Sequence, residues 1–334
     1  MKPFTYPIVA GDIGGTNARF AVMEAPGAEA IDLPTEPTGR YATLEEALAH
    51  ALEKGAAPAP ATGLFAAAGP IREGGLDLTN ASWHIRPPRV AAHCGLDEVV
   101  LFNDFEAQAL ALAVLRSDHV ETIGEATFRT DATKAVIGPG TGLGVGVLAF
   151  ADDRWFPVPG EGGHVDIGPR TAREADIFAH LERIEGRVSG EQVLSGDGLL
   201  NLAGAVAATD GAARRYGHPS DVTFAALDGG DATAREALTL FATLLGRMAG
   251  DLALTVLARG GVYIGGGIAP RMVDFLRASP FREAFLDKAP HGDLMAAIAT
   301  GIVVDDRPAL DGLLGLAGDP DRFVIDLTGR RWRP

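Results

Sequence analysis

Residues Ile8–Phe20, IVAGDIGGTNARF, read as a short apolar strand, a turn built on Gly11, Gly14 and Gly15, and a second strand. Asp12 stands at the exit of the first strand. Bare glycines let a backbone come close to a ligand and aim several N–H groups at one anion. A carboxylate in such a loop repels a phosphate unless a divalent cation lies between them, so the combination suggests a metal–nucleotide site. Taken alone, the stretch fits a β-hairpin with a Gly-rich turn equally well.

The pattern recurs further on. Ala135–Ile137 is apolar, Gly138–Gly144 (GPGTGLG) is a Gly/Thr loop, and Val145–Phe150 is apolar again, which points to an internal duplication. A third glycine loop, Gly265–Gly267, closes the apolar run Gly260–Ile264. Between these lie strand and helix signals in alternation. Thr43-Leu-Glu-Glu46 is a capping box opening a helix that should end near Gly55. Leu64–Ala68 and Glu98–Phe102 read as buried strands, the second closed by Asn103-Asp104 and followed by an apolar helix through Phe105, Ala109 and Leu112. Thr171-x-x-Glu174 caps a helix with Ile177, Phe178, Leu181 and Ile184 on one side. Ser189-Gly-Glu191-Gln192 has the same form and would place Glu191 in the first turn of a helix. Asp231–Ala258 reads as one long helix or two abutting ones, Ala309–Leu316 as a last helix, and the basic tail Arg330–Pro334 as poorly ordered. Strand–loop–helix order of this kind predicts an α/β fold.

Composition narrows the functions open to the chain. Its 334 residues allow two domains, each with a core, and 47% apolar with 22% charged residues fits a globular protein. A net charge of −15 argues against a nucleic-acid or anionic membrane surface. With Cys94 as the only cysteine, no internal disulfide or cysteine-based metal cage forms. The uncharged runs are broken by Pro and Gly, so no membrane helix is expected, and Asp12 interrupts any signal-type apolar core. A cytoplasmic location follows as the expectation.

None of the glycine loops fits G-x-G-x-x-G, and none of the four lysines (Lys2, Lys54, Lys134 and Lys288) follows a glycine, so a dinucleotide fingerprint and a Walker A loop are both ruled out. A nucleotide would have to be held by backbone N–H groups, threonines, helix N-termini and metal. Other residues have readings of both kinds. Asn103 or Asp104 suits an N-cap as well as a site, Glu161 a solvated turn, His164 a surface position, and Glu191 a helix start favoured by the macrodipole.

These residues together resemble the bacterial glucokinases of the hexokinase–actin–heat-shock ATPase superfamily. The likeness runs nearly end to end, through GDIGGTNAR (11–19), LTNASW (78–83), FNDFEA (102–107), GPGTGLGVG (138–146), PGEGGHVD (159–166), SGEQVLSG (189–196) and GGVYIGGGIAPR (260–271). The chain lacks the cysteine-rich zinc motif of the related repressor/ORF/kinase sugar kinases. The resemblance implies two duplicated actin-like, ribonuclease H-like α/β domains with a central cleft. The smaller would span 1–113 with about 306–334, and the larger 114–305. It implies ATP-dependent phosphorylation of glucose at the 6-hydroxyl, with ATP and Mg²⁺ as cofactors and a homodimer as the assembly.

The resemblance also implies roles for particular residues. The nucleotide would meet Gly11, Asp12, Gly14, Gly15, Thr16 and Asn17 in the first loop, Gly140, Thr141 and Gly142 in the second, and Gly265, Gly266 and Gly267 in the third. Asp12 would hold the metal, directly or through water. The sugar would meet Asn80, Asn103, Asp104, Glu161, His164 and Glu191, with Asp104 as the catalytic base. A hexose needs such a set, because its hydroxyls both donate and accept and an unpaired buried partner costs about 1–3 kcal/mol. Two other functions compete: a sugar-independent actin-like ATPase, or a kinase for another hexose. A sugar-responsive repressor would carry a helix-turn-helix ahead of the first loop, and that loop starts at Gly11.

Overall fold

The computed structural model describes residues 4–79 and 81–333. Asn80, one of the expected sugar-binding residues, lies outside the described residues. The chain divides into two compact units, Met1–Ser117 with Gly146–Pro159 and Asp305–Pro334, and Asp118–Val145 with Gly160–Val304. The segment 146–159, expected with the larger domain, therefore counts with the first unit.

The strands run along the chain as β1 (Ile8–Ile13), β2 (Asn17–Met23), β3 (Ile31–Asp32), β4 (Glu36–Pro37) and β5 (Thr62–Ala67). A small antiparallel sheet follows, made of β6 (Ile71–Arg72), β7 (Gly75–Asp77) and β8 (His84–Ile85), and then β9 (Glu98–Asn103). Beyond it come β10 (Val120–Ile123), β11 (Lys134–Pro139), β12 (Leu143–Ala151), β13 (Arg154–Val158), β14 (Gly261–Ile264), β15 (Thr300–Val303) and β16 (Arg331–Trp332). The first large sheet has the order β16-β9-β5-β1-β2-β3, with β4 on β2. The second has the order β10-β15-β14-β11-β12-β13. Within them, β9-β5-β1-β2-β3 and β15-β14-β11-β12-β13 follow one plan. In each, a glycine-loop hairpin adjoins two further strands parallel to its first strand.

In the first unit, β1, β5 and β9 are buried along nearly their whole length, as parallel central strands covered on both faces are. On one face Val9, Ile13, Phe20 and Phe65 pack with Leu44 and Leu48 of helix α1 (Leu44–Gly55) and Val90 of α2 (Pro87–Cys94). Thr43 caps α1 by accepting from the Glu46 N–H, as its sequence predicts. The helix α3 (Asp104–Ala111) follows β9 directly.

In the second unit α4 (Ala172–Phe178) starts at the Thr171 cap but stops at Phe178. Leu181 is still buried, whereas Ile184 is exposed, so the predicted stripe is longer than the helix. Ser189–Gln192 does not open a helix: it is a turn closed by Gln192 N to Ser189 O and Leu194 N to Gly190 O. The helix α5 (Gly196–Thr209) starts only after it, capped by Ser195. Glu191 is thus a turn residue, and the macrodipole account of it fails.

Next come α6 (Pro219–Leu227) and the single 25-residue helix α7 (Ala232–Val256). By length and composition α7 could cross a membrane, contrary to the expectation that no stretch would, and 72% of its apolar window is buried in the protein. It packs against α5, α6 and α9 (Phe281–Leu286), the last of a short run with α8 (Val273–Ala278) and followed by α10 (Gly292–Ala296). The buried face therefore belongs to this unit's core.

Helix α11 (Pro308–Gly318) returns to the first unit, against α3, β1, β2 and β5. Its closest approach is at Gly312, where an added Cβ would lie 2.0 Å from the Ala107 carbonyl oxygen of α3. Gly312→Ala must push the two helices apart, and overpacking of this kind costs about 1–3 kcal/mol. A lowered thermal midpoint of the variant is the expected result, outweighing Ala's better helix propensity.

The tail is not loose, contrary to expectation. β16 pairs antiparallel with β9, Arg331 opposite Val100 and Trp332 opposite Val99. Two ion-pair groups hold it: Arg330 to Glu106 at 2.6 Å, and Arg331 and Arg333 to Glu98 at 2.8 and 2.7 Å. Both carboxylates are almost wholly buried, which makes the pairing arginines necessary.

Candidate active site

In the first unit the candidate residues gather where three parallel strands end in register, with Ile13 of β1 opposite Ala67 of β5, and Ala67 opposite Asn103 of β9. The opening stretch is indeed a hairpin, closed by Gly14 N donating to Asn17 O at 2.9 Å. Gly11 belongs to the strand and not to the turn. It lies inside β1, and a Cβ there would sit 2.7 Å from the Phe65 ring and 2.9 Å from that of Phe20. Packing against these two rings requires a glycine here.

Gly15 and Thr16 are exposed at the loop tip, with Asn17 half-buried behind them. Thr38, buried and not singled out from the sequence, turns the loop's carbonyls inward. Its hydroxyl donates to Gly14 O and its N–H to Thr16 O, each at 2.9 Å. The segment carrying Thr38 is fastened in turn by Glu36, which accepts from Tyr41 Oη at 2.5 Å and lies 2.7 Å from His50 Nδ1. With the two carbonyls engaged, the exposed side of the loop is left to N–H groups and the Thr16 hydroxyl.

Asp12 is half-buried, 4.0 Å from the Arg19 guanidinium opposite it on β2. Burial is the main reason its pKa rises to about 6; Arg19 opposes the rise and the charge of Asp104 adds to it. The two carboxylates therefore sense each other across the strand ends. Asn103 caps α3, its Oδ1 accepting from Phe105 N at 2.9 Å and Glu106 N at 3.4 Å. The capping reading is correct for that oxygen, and it leaves the amide N–H groups as donors. Asp104 is the first residue of α3, where the helix dipole favours an ionised carboxylate.

A divalent cation fits this donor set. One partly buried carboxylate with raised affinity for protons, within reach of the charge of a second, suits an ion that takes one or two protein oxygens and completes its shell with phosphates and water. Among the described residues no group of three or more His, Cys, Asp or Glu could hold a metal on its own.

In the second unit four segments converge. The loop between β11 and β12 carries Gly140, Thr141 and Gly142, with Thr141 exposed. Gly140 N donates to Gly142 O, and Gly140 O accepts from Gly196 N at the start of α5. The third glycine loop lies against it, Ile268 N reaching Pro139 O and Gly265 N reaching Ile137 O. Gly266 has φ +74°, and a Cβ there would stand 2.4 Å from Pro139 O, so only glycine serves. Gly267 is exposed beside it.

Glu191 closes the group. Its Oε2 accepts from Leu143 N at 2.9 Å, and a Cβ on Gly142 would come within 2.5 Å of it. Glu191 N donates to Gly163 O, and Gly190 N to Val165 O, which ties the turn to the short 3₁₀ segment Gly162–His164. Gly163 is obligatory there, since its Cβ would collide with Leu143 O at 1.8 Å. Glu161 and His164 are exposed on either side of that segment. Arg187, also missed from the sequence, donates to His164 O at 2.9 Å and pairs with Asp166 at 2.5 Å. Nothing local marks Thr38 or Arg187, because their partners lie in remote segments.

The family model described as Glucokinase matches residues 9–318. The glucokinase of Chelativorans sp. (strain BNC1) is 49% identical over 328 residues, covering 98% of this chain and 96% of that one. The crystal structure of a glucokinase from an Antarctic psychrotroph superposes with a TM-score of 0.84 at 32% identity, over 94% of this chain and 99% of that one. A ROK family glucokinase from Streptomyces griseus, solved in complex with glucose and AMPPNP, has a TM-score of 0.59 at 20% identity, over 93% of this chain and 99% of that one. That last likeness is one of fold.

Proposed function

The chain belongs to the glucokinase family and transfers a phosphoryl group from ATP to glucose, giving glucose 6-phosphate, and we propose that Asp104 is its catalytic base. The observation that supports this reading is that Asp12 near the end of β1 and Asp104 just beyond β9 lie at the same end of the sheet, near enough for the Asp104 charge to bear on Asp12. Asp104 accepts the hydrogen of the sugar's 6-hydroxyl as that oxygen attacks the γ-phosphorus in line. An ordinary carboxylate is a weak base toward an alcohol, so it orients the hydroxyl early and takes the proton late, as a loose transition state allows. Asn103 offers its amide N–H groups to an adjacent sugar oxygen.

Glu161, His164 and the second carboxylate oxygen of Glu191 bind further hydroxyls of glucose, a ligand held by the Streptomyces griseus structure. Asn80 joins this set by its place in the LTNASW motif. The N–H groups of Gly15 and Asn17 and the hydroxyl of Thr16 receive one part of the triphosphate, on a turn that the Gly14 N–H closes by donating to Asn17 O. The N–H groups of Thr141 and Gly142 receive another, in a loop that the Gly140 N–H closes by donating to Gly142 O, and Gly265–Gly267 meets the nucleoside. Mg²⁺, held by Asp12 directly or through water, neutralises charge on the phosphate oxygens when bound.

The common strand plan of the two sheets supports a duplicated, actin-like pair of domains. Each carries its own glycine loop. The protein acts in the cytoplasm, as a homodimer. A panel assay tests the reading, with glucose, mannose, fructose and N-acetylglucosamine offered with ATP, with and without Mg²⁺. Glucose should have the highest kcat/KM, and turnover should vanish without a divalent cation. Faster turnover of another hexose, or ATP hydrolysis unaffected by sugar, would overturn it.

A further inference from the structure

The C-terminal tail lies beyond residue 318, where the family match ends, yet it borders the strand that delivers Asp104. Leu101 N of β9 donates to Arg330 O at 3.0 Å. The Arg330 side chain passes the Phe102 ring, its guanidinium carbon 5.5 Å from the ring centroid, and Nη1 reaches Glu106 Oε2 at 2.6 Å. Glu106 has a side-chain exposure of 1% and its other oxygen, Oε1, has no hydrogen-bond partner. Arg330 is thus the one cation paired with this carboxylate among the described residues. Burial holds the Glu106 carboxyl above the usual carboxylate range even against that guanidinium.

Glu106 and Asp104 share the first turn of α3, and the Asn103 cap reaches the Glu106 N–H as well. At the other end of β9, Glu98 takes Arg331 and Arg333. We propose that Arg330, through Glu106, is a positioning residue for phosphoryl transfer: the tail clamps the β9–α3 junction and so sets where the Asp104 carboxylate stands. This rests on the reading of Asp104 as the base. Without the guanidinium the first turn of α3 loses its tie to the tail and is free to shift, and the buried carboxylate left without its cation lowers stability as well. A displacement of about 1 Å at a catalytic group is enough to cost about 100-fold in rate.

The test measures steady-state kinetics and thermal midpoints of R330A, R330K, the double variant R330A/E106Q and D104N, all in the full chain. R330A should lower kcat about 10- to 100-fold, with KM for ATP changed less than about twofold, and R330K should recover part of the loss. In R330A/E106Q the buried charge is gone, so the midpoint should rise above that of R330A while kcat stays low, since the tether is still missing. A folded R330A with wild-type kcat, or a double variant that regains kcat together with its midpoint, overturns the proposal. If D104N itself keeps wild-type kcat, the reading of Asp104 has failed. If D104N is inactive and R330A is not, only the clamp has failed.

Discussion

Asp104→Asn lowers kcat for glucose phosphorylation by about 10²- to 10⁴-fold, the usual worth of a general base, without unfolding the protein. The amide has the same shape and can still accept a hydrogen bond from the 6-hydroxyl, but it cannot take the proton as the phosphoryl group moves. The cap on α3 is made by Asn103, not Asp104, so the helix start survives the substitution. Removing the Asp104 charge also removes one of the influences that raise the Asp12 pKa, so that value falls from about 6 toward the ordinary range. The variant should therefore retain its thermal midpoint and a KM for glucose within a few-fold of the parent. A coupled assay for glucose 6-phosphate, read beside a thermal melt, checks both; near-parent kcat would remove Asp104 from the mechanism.

Asp12→Asn should do two opposite things, abolishing turnover while making the ligand-free protein more stable at neutral pH. The sign follows from the pKa. In the folded state it is about 6, against 3.8 for the free side chain, so folding favours the protonated form. Below about pH 4 both states are protonated and the group contributes nothing. Between pH 4 and 6 the unfolded state ionises first, and a penalty on the fold grows; above pH 6 it is complete, at about 2–3 kcal/mol. Asparagine carries no such penalty. The thermal midpoints of parent and variant should coincide near pH 4 and separate by several degrees at pH 7, the variant melting higher, with no divalent cation present. A difference that stays constant from pH 4 to 7 would show that Asp12 carries no stored electrostatic cost. The loss of activity has the same origin: a carboxylate costly to ionise in the empty protein is one that a bound cation rewards.

Local sequence determined a good deal of this protein. Period-two and period-3.6 patterns act over a few residues, so β1, β5, β9, α1 and α7 could be read directly, as could the repeat of the glycine loop and the Thr43 cap. The absence of a Gly-Lys pair already excluded a lysine-based phosphate loop. What each polar residue does was decided by neighbours remote in the chain. Gly11 is a glycine because Phe20 and Phe65 fill the space beside it. Glu191 sits in a turn and grips the Leu143 N–H, 48 residues away, where the sequence alone suggested a helix start. The pKa of Asp12 depends on burial and on two charges brought up by β2 and α3.

The tail shows the limit most clearly. Two residues of strand are too short to give any periodicity, and a run of arginines beside one tryptophan reads as solvated chain. Only the folded structure supplies the buried Glu106, 224 residues from Arg330, and the open edge of β9 on which the tail settles. A salt bridge has no sequence signature of its own, because its strength depends on the burial of both partners and on geometry that exists only after the core has formed.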